Sequence, residues 1–479
     1  MKFSISNIYF VKIVKSLILF LISILLYVFS PKEYSYNYCL ILLAVFLILS
    51  YSIVKSTVIN NNYFTFHVLF LISFFFVNFV YPIFQYPYNQ IPYVVFKHYF
   101  NHSLITKTTA LSVLGISSYN VGVNLSNVKY KSNSSNNLVK FNTYEFLITN
   151  WLYFVFGLIL IIAGKEIMRG NMGSTQLIPP GLLVIFQVSI GLAIIIGMLS
   201  SIYSGGIINF FVKYNKPILF LTLFSMFLFA YAGDRGPSIQ VVMIFVGAYS
   251  LFIKPIKLKS LALLVLLGMF TLSFLQGTRT HDVSKSGGGG FINFIERGIE
   301  NYEVNNFIDI GKDLIVNNRN LYAGYDYAKN NGYTYGSNMF NYLFAPIPFL
   351  PSLMTNIFFD SPPSQLTTAR ILTDEVGVNY GLGTNMVADL FMAFGIFGVI
   401  VFLFLLGFIV TKAQIKANQN SISASIIYIF LIGFSIYLPR TSILDPFRHI
   451  VWALILYFVI KYIRLFLIQY KLSLKKYNE

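Results

Sequence analysis

Apolar runs of roughly 20 residues, the length that crosses about 30 Å of hydrocarbon as a helix, recur along nearly the whole chain. They fall at 13–30, 37–54, 63–82, 104–124, 144–163, 179–202, 216–233, 237–254, 259–276, 385–411, 422–438 and 448–468. Such a pattern leaves few folding options, because in lipid the backbone N–H and C=O groups of a crossing segment must find partners within the helix itself. The expected fold is therefore an all-α, polytopic integral membrane protein with about 12 transmembrane helices. Composition agrees: 56% of residues are hydrophobic, 18% aromatic and only 11% charged, far from a soluble domain. The fourth run is the weakest, being diluted by Lys107, Ser112, Ser117, Ser118, Asn120 and Asn124. The first is not read as a cleaved signal peptide, since no small-residue cleavage site follows it.

Charge sets the topology. With 12 spans, one side of the membrane receives Lys2, Lys12, Lys15, Lys55, Lys129, Lys131, Lys140, Lys213, Lys216, Lys254, Lys257, Lys259, Lys412, Lys416, Lys461, Arg464, Lys471, Lys475 and Lys476. Glu145 and Glu479 are the only acids there, so this side is expected to be cytoplasmic and both termini inside. The net charge of +17 arises from basic residues scattered singly among apolar runs, which argues against a nucleic-acid partner. Cys39 is the only cysteine, which excludes an intrachain disulfide and a cysteine-ligated metal site. Heavy use of Asn, Lys, Ile, Phe and Tyr reads as a compositional bias of the source.

The expected organisation is nine transmembrane helices in 1–276, a large outer loop in 277–384, and three transmembrane helices with a cytoplasmic tail in 385–479. The arginines invert the lysine rule. Arg169, Arg235, Arg279, Arg297, Arg319, Arg370, Arg440 and Arg448 fall on the outer side, leaving only Arg464 within. A planar guanidinium binds phosphate or carboxylate bidentately, which is a reason to keep arginine where topology asks for no charge. Arg297, Arg319 and Arg370 are expected to pair with acids of the long loop.

Arg235 and Asp234 sit in Ala232-Gly233-Asp234-Arg235-Gly236-Pro237-Ser238, an interruption of an apolar stretch too long for one span. It is read as a tight outer turn, and the charged pair as a site at the membrane edge, with a local Asp234–Arg235 pair as the alternative. The last outer turn repeats the pattern in Leu438-Pro439-Arg440-Thr441-Ser442 and Asp445-Pro446-Phe447-Arg448-His449. Arg235, Arg279, Arg440 and Arg448 are thus candidates to hold a diphosphate at headgroup depth. In the long loop, Gln276-Gly277-Thr278-Arg279-Thr280-His281-Asp282 follows the ninth span directly. Phe291 to Val316 has the spacing of a helix lying on the membrane surface. Tyr333 to Leu353 is apolar but broken by Pro346, Pro348 and Pro351, the pattern of a re-entrant or interfacial segment.

The Gly233-Asp234-Arg235-Gly236 turn, the long penultimate outer loop, Tyr335-Gly336-Ser337 with Pro346-Ile347-Pro348, and Gly381-Leu382-Gly383-Thr384-Asn385 with Asp389 and Phe394-Gly395-Ile396-Phe397-Gly398 together resemble the Wzy-type oligosaccharide repeat-unit polymerases of O-antigen and capsule synthesis. The resemblance implies a glycosyltransferase of the bacterial inner membrane that uses no nucleotide sugar, metal or cofactor. A growing glycan would pass from undecaprenyl diphosphate onto the non-reducing end of a second lipid-linked repeat unit. Undecaprenyl-diphosphate-linked oligosaccharide is then both donor and acceptor, within membrane lipid; whether a chain-length regulator binds stays open. The residues agree in showing no His/Cys/Asp cluster at metal-ligand spacing and no phosphate-binding glycine loop on a strand. An acceptor hydroxyl needs a base. Asp389, one turn into the tenth span, is the first candidate, followed by His281 and His449, with an ion pair to an arginine as the alternative role for Asp389. Two other classes remain: a flippase for the lipid-linked unit, expected to show two similar halves that this sequence lacks, and an O-antigen ligase of similar layout.

Overall fold

The computed structural model describes residues 7–93, 96, 101–126, 142–168, 180–200, 216–231, 235–277, 296, 299, 311–359, 362–378 and 381–478. Among these residues every regular element is a helix, and one lies over each apolar run. They are α1 (Asn7–Val28), α2 (Tyr36–Thr57), α3 (Phe66–Asn78), α4 (Ile105–Ser126), α5 (Asn142–Met168), α6 (Pro180–Ser200), α7 (Lys216–Tyr231), α8 (Arg235–Phe252) and α9 (Leu258–Gly277). Five shorter helices follow in the long loop: α10 (Lys312–Ile315), α11 (Asn318–Asn331), α12 (Ser337–Phe344), α13 (Leu350–Phe359) and α14 (Thr368–Val376). The chain ends with α15 (Met386–Asn418), α16 (Ile422–Phe434) and α17 (Asp445–Asn478). Four stretches among the described residues are long and apolar enough to cross a membrane, Phe10–Val28, Tyr36–Thr57, Met386–Asn418 and Asp445–Phe466, beside many shorter apolar helices.

Two compact units form. The first comprises Met1–Ser134, Phe307–Gln419 and Phe434–Arg448; the second comprises Ser135–Asn306, Asn420–Gly433 and His449–Glu479. In the second, α5, α6, α7 and α8 pack around Val188, Ile195, Phe186, Phe229 and Ile244. Close approach there relies on glycine: a methyl group added to Gly191 would lie 2.6 Å from the Phe430 ring, and one on Gly247 would lie 2.9 Å from Ile432.

The first unit is built around α4. Nearly every residue of this helix is buried, including Thr106, Thr109, Ser112, Ser117, Asn120 and Asn124. That explains its low apolar content: its neighbours are other helices, so its polar groups find protein partners. Ser52 and Ser56 of α2 donate to the Asn120 and Asn124 side-chain oxygens at 3.3 and 3.1 Å, and Lys107 donates to the Tyr27 carbonyl at 2.6 Å. Tyr119 shares a hydrogen bond of 2.6 Å with His67 Nδ1 of α3. By contrast α1 and α2 present Phe10, Leu17, Leu21, Leu25, Leu40, Ile41, Leu47 and Ile48 outward, the apolar surface of a membrane protein.

The partner most extensively packed on α4 is α15. Their backbones touch. A methyl group on Gly122 would sit 2.1 Å from the Phe404 carbonyl oxygen, and one on Gly407 2.3 Å from that of Tyr119. Small residues at a helix crossing are how membrane helices gain contact where lipid offers no hydrophobic drive.

Further toward its N-terminus α15 is broken. Phe394 and Gly395 leave helical geometry, Gly395 with φ 62° and ψ −147°, a region open essentially to glycine alone. The break frees the Met392 carbonyl, which accepts from the Thr334 amide at 2.8 Å and the Thr334 hydroxyl at 3.1 Å. A short first segment of α15 is thus set apart from the rest of the span.

The long loop is not a solvated tether where it is described. Arg319, Asn320, Leu321, Tyr322, Ala323 and Gly324 of α11 are buried, and a methyl group on Gly324 would lie 2.8 Å from Ala388 Cβ. Asn318 Nδ2 donates to the Val77 carbonyl, and Asn320 Nδ2 to that of Leu382, both at 2.9 Å. The proline-broken stretch forms α12 and α13, joined through Pro346 and Pro348, with Leu343, Ile347, Phe349, Leu353, Ile357 and Phe358 exposed. Most of the surface helix expected over Phe291 to Val316 lies outside the described residues.

Replacing Gly122 or Gly407 with valine should force α4 and α15 apart and destabilise the protein by about 1–3 kcal/mol or more, the usual cost of overpacking. Thermal unfolding of the detergent-solubilised protein measures this. Gly268→Ala, where an added methyl meets nothing within 4 Å, should be neutral or slightly stabilising.

Candidate active site

The first turn of α15 begins at Asn385, whose Oδ1 caps the helix by accepting from the Val387 and Ala388 amides at 2.9 and 3.4 Å. Its Nδ2 donates to Asn78 Oδ1 at 3.0 Å, which ties this turn to the end of α3. Asp389 follows one turn later, its amide donating to the Asn385 carbonyl at 2.8 Å. Its side chain is 1% exposed. Burying a carboxylate is costly unless hydrogen bonds replace water. Three donors do so here: Asn338 Nδ2 of α12 reaches Oδ1 at 2.9 Å, Thr368 Oγ1 of α14 reaches the same oxygen at 2.5 Å, and Ser442 Oγ reaches Oδ2 at 2.7 Å. All three are neutral, and no arginine among the described residues pairs with this carboxylate. Asp389 is thereby the point at which α12, α14, α15 and the Ser442 corner converge.

A second acid and a guanidinium stand beside this hub. Asp445 is the first residue of α17 and Arg448 lies three residues on, so both project from one face of its first turn. Both are half-buried. Among the described residues none donates a hydrogen bond to the Asp445 carboxylate, none accepts one from Arg448, and no ion pair closes between the two. Tyr342 faces them. It lies four residues after Asn338 on α12 and hence on the face that meets Asp389. Burial pushes its phenol above the usual range, the Asp445 and Asp389 carboxylates add to the rise, and the Arg448 charge opposes it. The phenol is therefore neutral and a donor throughout the physiological range.

The other arginines divide. Arg440 closes a short 3₁₀ turn (Leu438–Arg440), donates to the Asp313 carboxylate of α10, and lies 5.4 Å from the Tyr437 ring centroid. Burial disfavours its charge, but Asp313 more than offsets that and the guanidinium is held above its ordinary pKa. Arg370 pairs with Asp374 at 2.9 Å on an exposed face of α14, as the acids of the loop suggested. Arg319 is buried. His449 is buried in the second unit, where Nε2 is 3.0 Å from Gln187 Oε1. Arg235 is the first residue of α8, but its side chain, like Asp234, Arg279 and His281, lies outside the described residues.

Asp389, Arg440 and Arg448 stand out in the sequence as charges bordering apolar runs, whereas Asn338, Tyr342, Thr368 and Ser442 do not. No local pattern singles these out, since each is an ordinary polar residue of a loop. The asparagines were the nearest signal. Asn78, Asn317, Asn318, Asn320, Asn338 and Asn385 are all buried, so part of what reads as compositional bias is a hydrogen-bonded interior.

Asp389→Ala would strand the Asn338, Thr368 and Ser442 donors without an acceptor. An unsatisfied buried donor costs about 1–3 kcal/mol, so a marked fall in the unfolding temperature and in recovery of folded protein is expected. Asp389→Asn, which keeps one acceptor oxygen, should fall by less in the same measurement.

No curated protein matches the chain, and no solved structure does. The family described as O-antigen polysaccharide polymerase Wzy matches residues 11–471, nearly the whole length, and covers both the long loop and the convergence of α12, α14, α15 and α17. The chain is a multi-pass membrane protein that belongs to the O-antigen polysaccharide polymerase Wzy family.

Proposed function

We propose that this protein joins undecaprenyl-diphosphate-linked oligosaccharide repeat units into O-antigen or capsular polysaccharide, acting on the outer face of the bacterial inner membrane. The growing glycan on one carrier is the donor, and the terminal sugar hydroxyl of a second carrier-linked unit is the acceptor. The observation that carries this reading is Arg448: a half-buried guanidinium at the start of an apolar helix, its donors unclaimed by any described residue, beside the Asp389 hub and Tyr342. A diphosphate at headgroup depth is the ligand such a fork fits, and neutralising its charge as it leaves is the electrostatic contribution the reaction needs.

In this reading 12 helices cross the membrane, both termini are cytoplasmic, and the long loop lies outside. The α12–α13 hairpin rests in the outer interface: no charged residue occurs between Lys329 and Asp360, and Phe349 is 88% exposed. Arg235, Arg279, Asp234 and Arg440 are further residues proposed to bind substrate, Arg440 being paired with Asp313 in the absence of substrate. For proton transfer the sequence offers Asp389, His281 and His449, and Asp389 also holds α12 and α14 in place. The protein requires no metal or cofactor, and a chain-length regulator is a proposed partner.

Arg448→Lys keeps the charge and removes the planar fork. The glycan ladder of cells carrying only this variant should collapse to very short chains, whereas Arg370→Lys, on an exposed pair, should leave the ladder unchanged. A normal ladder for Arg448→Lys would remove Arg448 from the diphosphate site.

A further inference from the structure

We infer that Asp445 is the general base that deprotonates the acceptor hydroxyl, an assignment that rests on the reading above of this site as a polymerase centre. A base needs a carboxylate oxygen with a lone pair free to meet an incoming O–H. The two acids of the site differ in this respect. Asp389 Oδ1 already accepts from Asn338 and Thr368, and Oδ2 accepts from Ser442. Three of its roughly four lone-pair sites are thus taken, and at 1% exposure the carboxylate offers an acceptor hydroxyl little approach. Asp445 lies three residues beyond Ser442, half-buried, and accepts no hydrogen bond from any described residue.

Its neighbours suit the task. Arg448 stands one turn along the same face without closing an ion pair, so an acidic group and a guanidinium face the same space with neither consumed by the other. Tyr342 lies within electrostatic reach of Asp389, Asp445 and Arg448. A donor sugar whose diphosphate meets Arg448 would thus have an unoccupied carboxylate within one helical turn.

The step balances without any further reactant. The acceptor hydroxyl gives its proton to the Asp445 carboxylate while its oxygen bonds to the anomeric carbon of the donor. The bond from that carbon to the phosphate oxygen breaks, and its electron pair leaves on undecaprenyl diphosphate, whose charge faces Arg448. The proton on Asp445 returns to the departing diphosphate or to water. Asp389 then acts as a positioning residue, holding Asn338, and through its helix Tyr342, against the site.

The experiment uses the full-length chain as the sole polymerase in its host, reading glycan ladders, folded protein and binding of undecaprenyl diphosphate to the purified protein. Asp445→Asn should retain folded protein and carrier binding within about twofold while polymer formation falls at least about 100-fold, the contribution expected of a general base. A normal ladder from Asp445→Asn overturns the assignment, as does a ladder lost in well-folded Asp389→Asn but kept in Asp445→Asn. Should Asp445→Asn fail to accumulate, Asp445→Ala assayed in host membrane vesicles with added formate decides the matter: recovery of polymer supports a base, and no recovery overturns it. Arg448→Lys separates the two levels. If Asp445→Asn is silent while Arg448→Lys loses carrier binding, only the base falls; if Arg448→Lys alters neither binding nor ladder, the diphosphate site itself falls.

Discussion

The contact between the α4 and α15 backbones governs what the first unit can do. With glycine at 122 and 407, each helix places its side-chain-free surface against a carbonyl of the other, an approach no larger residue permits. Because the separation is fixed there, the N-terminal end of α15 is held at a defined place against α3, α11 and α12. The cost of a polar α4 is met by the same closeness, since its Asn, Ser and Thr side chains bond to neighbouring helices instead of facing lipid.

The break at Phe394 and Gly395 gives α15 two roles. Its longer part behaves as a membrane helix, with Phe397, Val401, Leu405 and Ile409 exposed along one stripe. Its first two turns point a carboxylate into a polar convergence, and Thr334 closes the carbonyl that the break leaves open. Non-helical backbone within a membrane protein persists only where protein or water satisfies it, so a broken span beside a buried acid marks a place built for polar work.

Charge separates structural from available groups. Arg440 and Asp313 neutralise each other, and Arg370 and Asp374 do so on the surface, where an exposed pair contributes little to stability. Asp389 is satisfied by neutral donors. What remains at the convergence is Asp445, Arg448 and Tyr342, opposite charges and a neutral phenol whose hydrogen-bonding capacity the fold has not consumed. Groups of this kind are the ones a substrate can engage.

The sequence alone determined that the chain is helical and membrane-embedded, because an apolar run of about 20 residues has only helical solutions in lipid and its period is written locally. It also marked where Asp389, Arg440 and Arg448 stand along their helices, since charges that interrupt apolar runs are visible without knowing their neighbours. Only the tertiary structure decided what each does. Arg440 and Arg448 look alike in the sequence, yet Asp313, more than a hundred residues earlier, occupies one and not the other. Asp389 and Asp445 are both acids at helix starts, but Asn338, Thr368 and Ser442 converge on the first alone. Hydrogen-bond partners are set by which distant segments the fold brings within about 3 Å, and no local pattern in the chain records that distance.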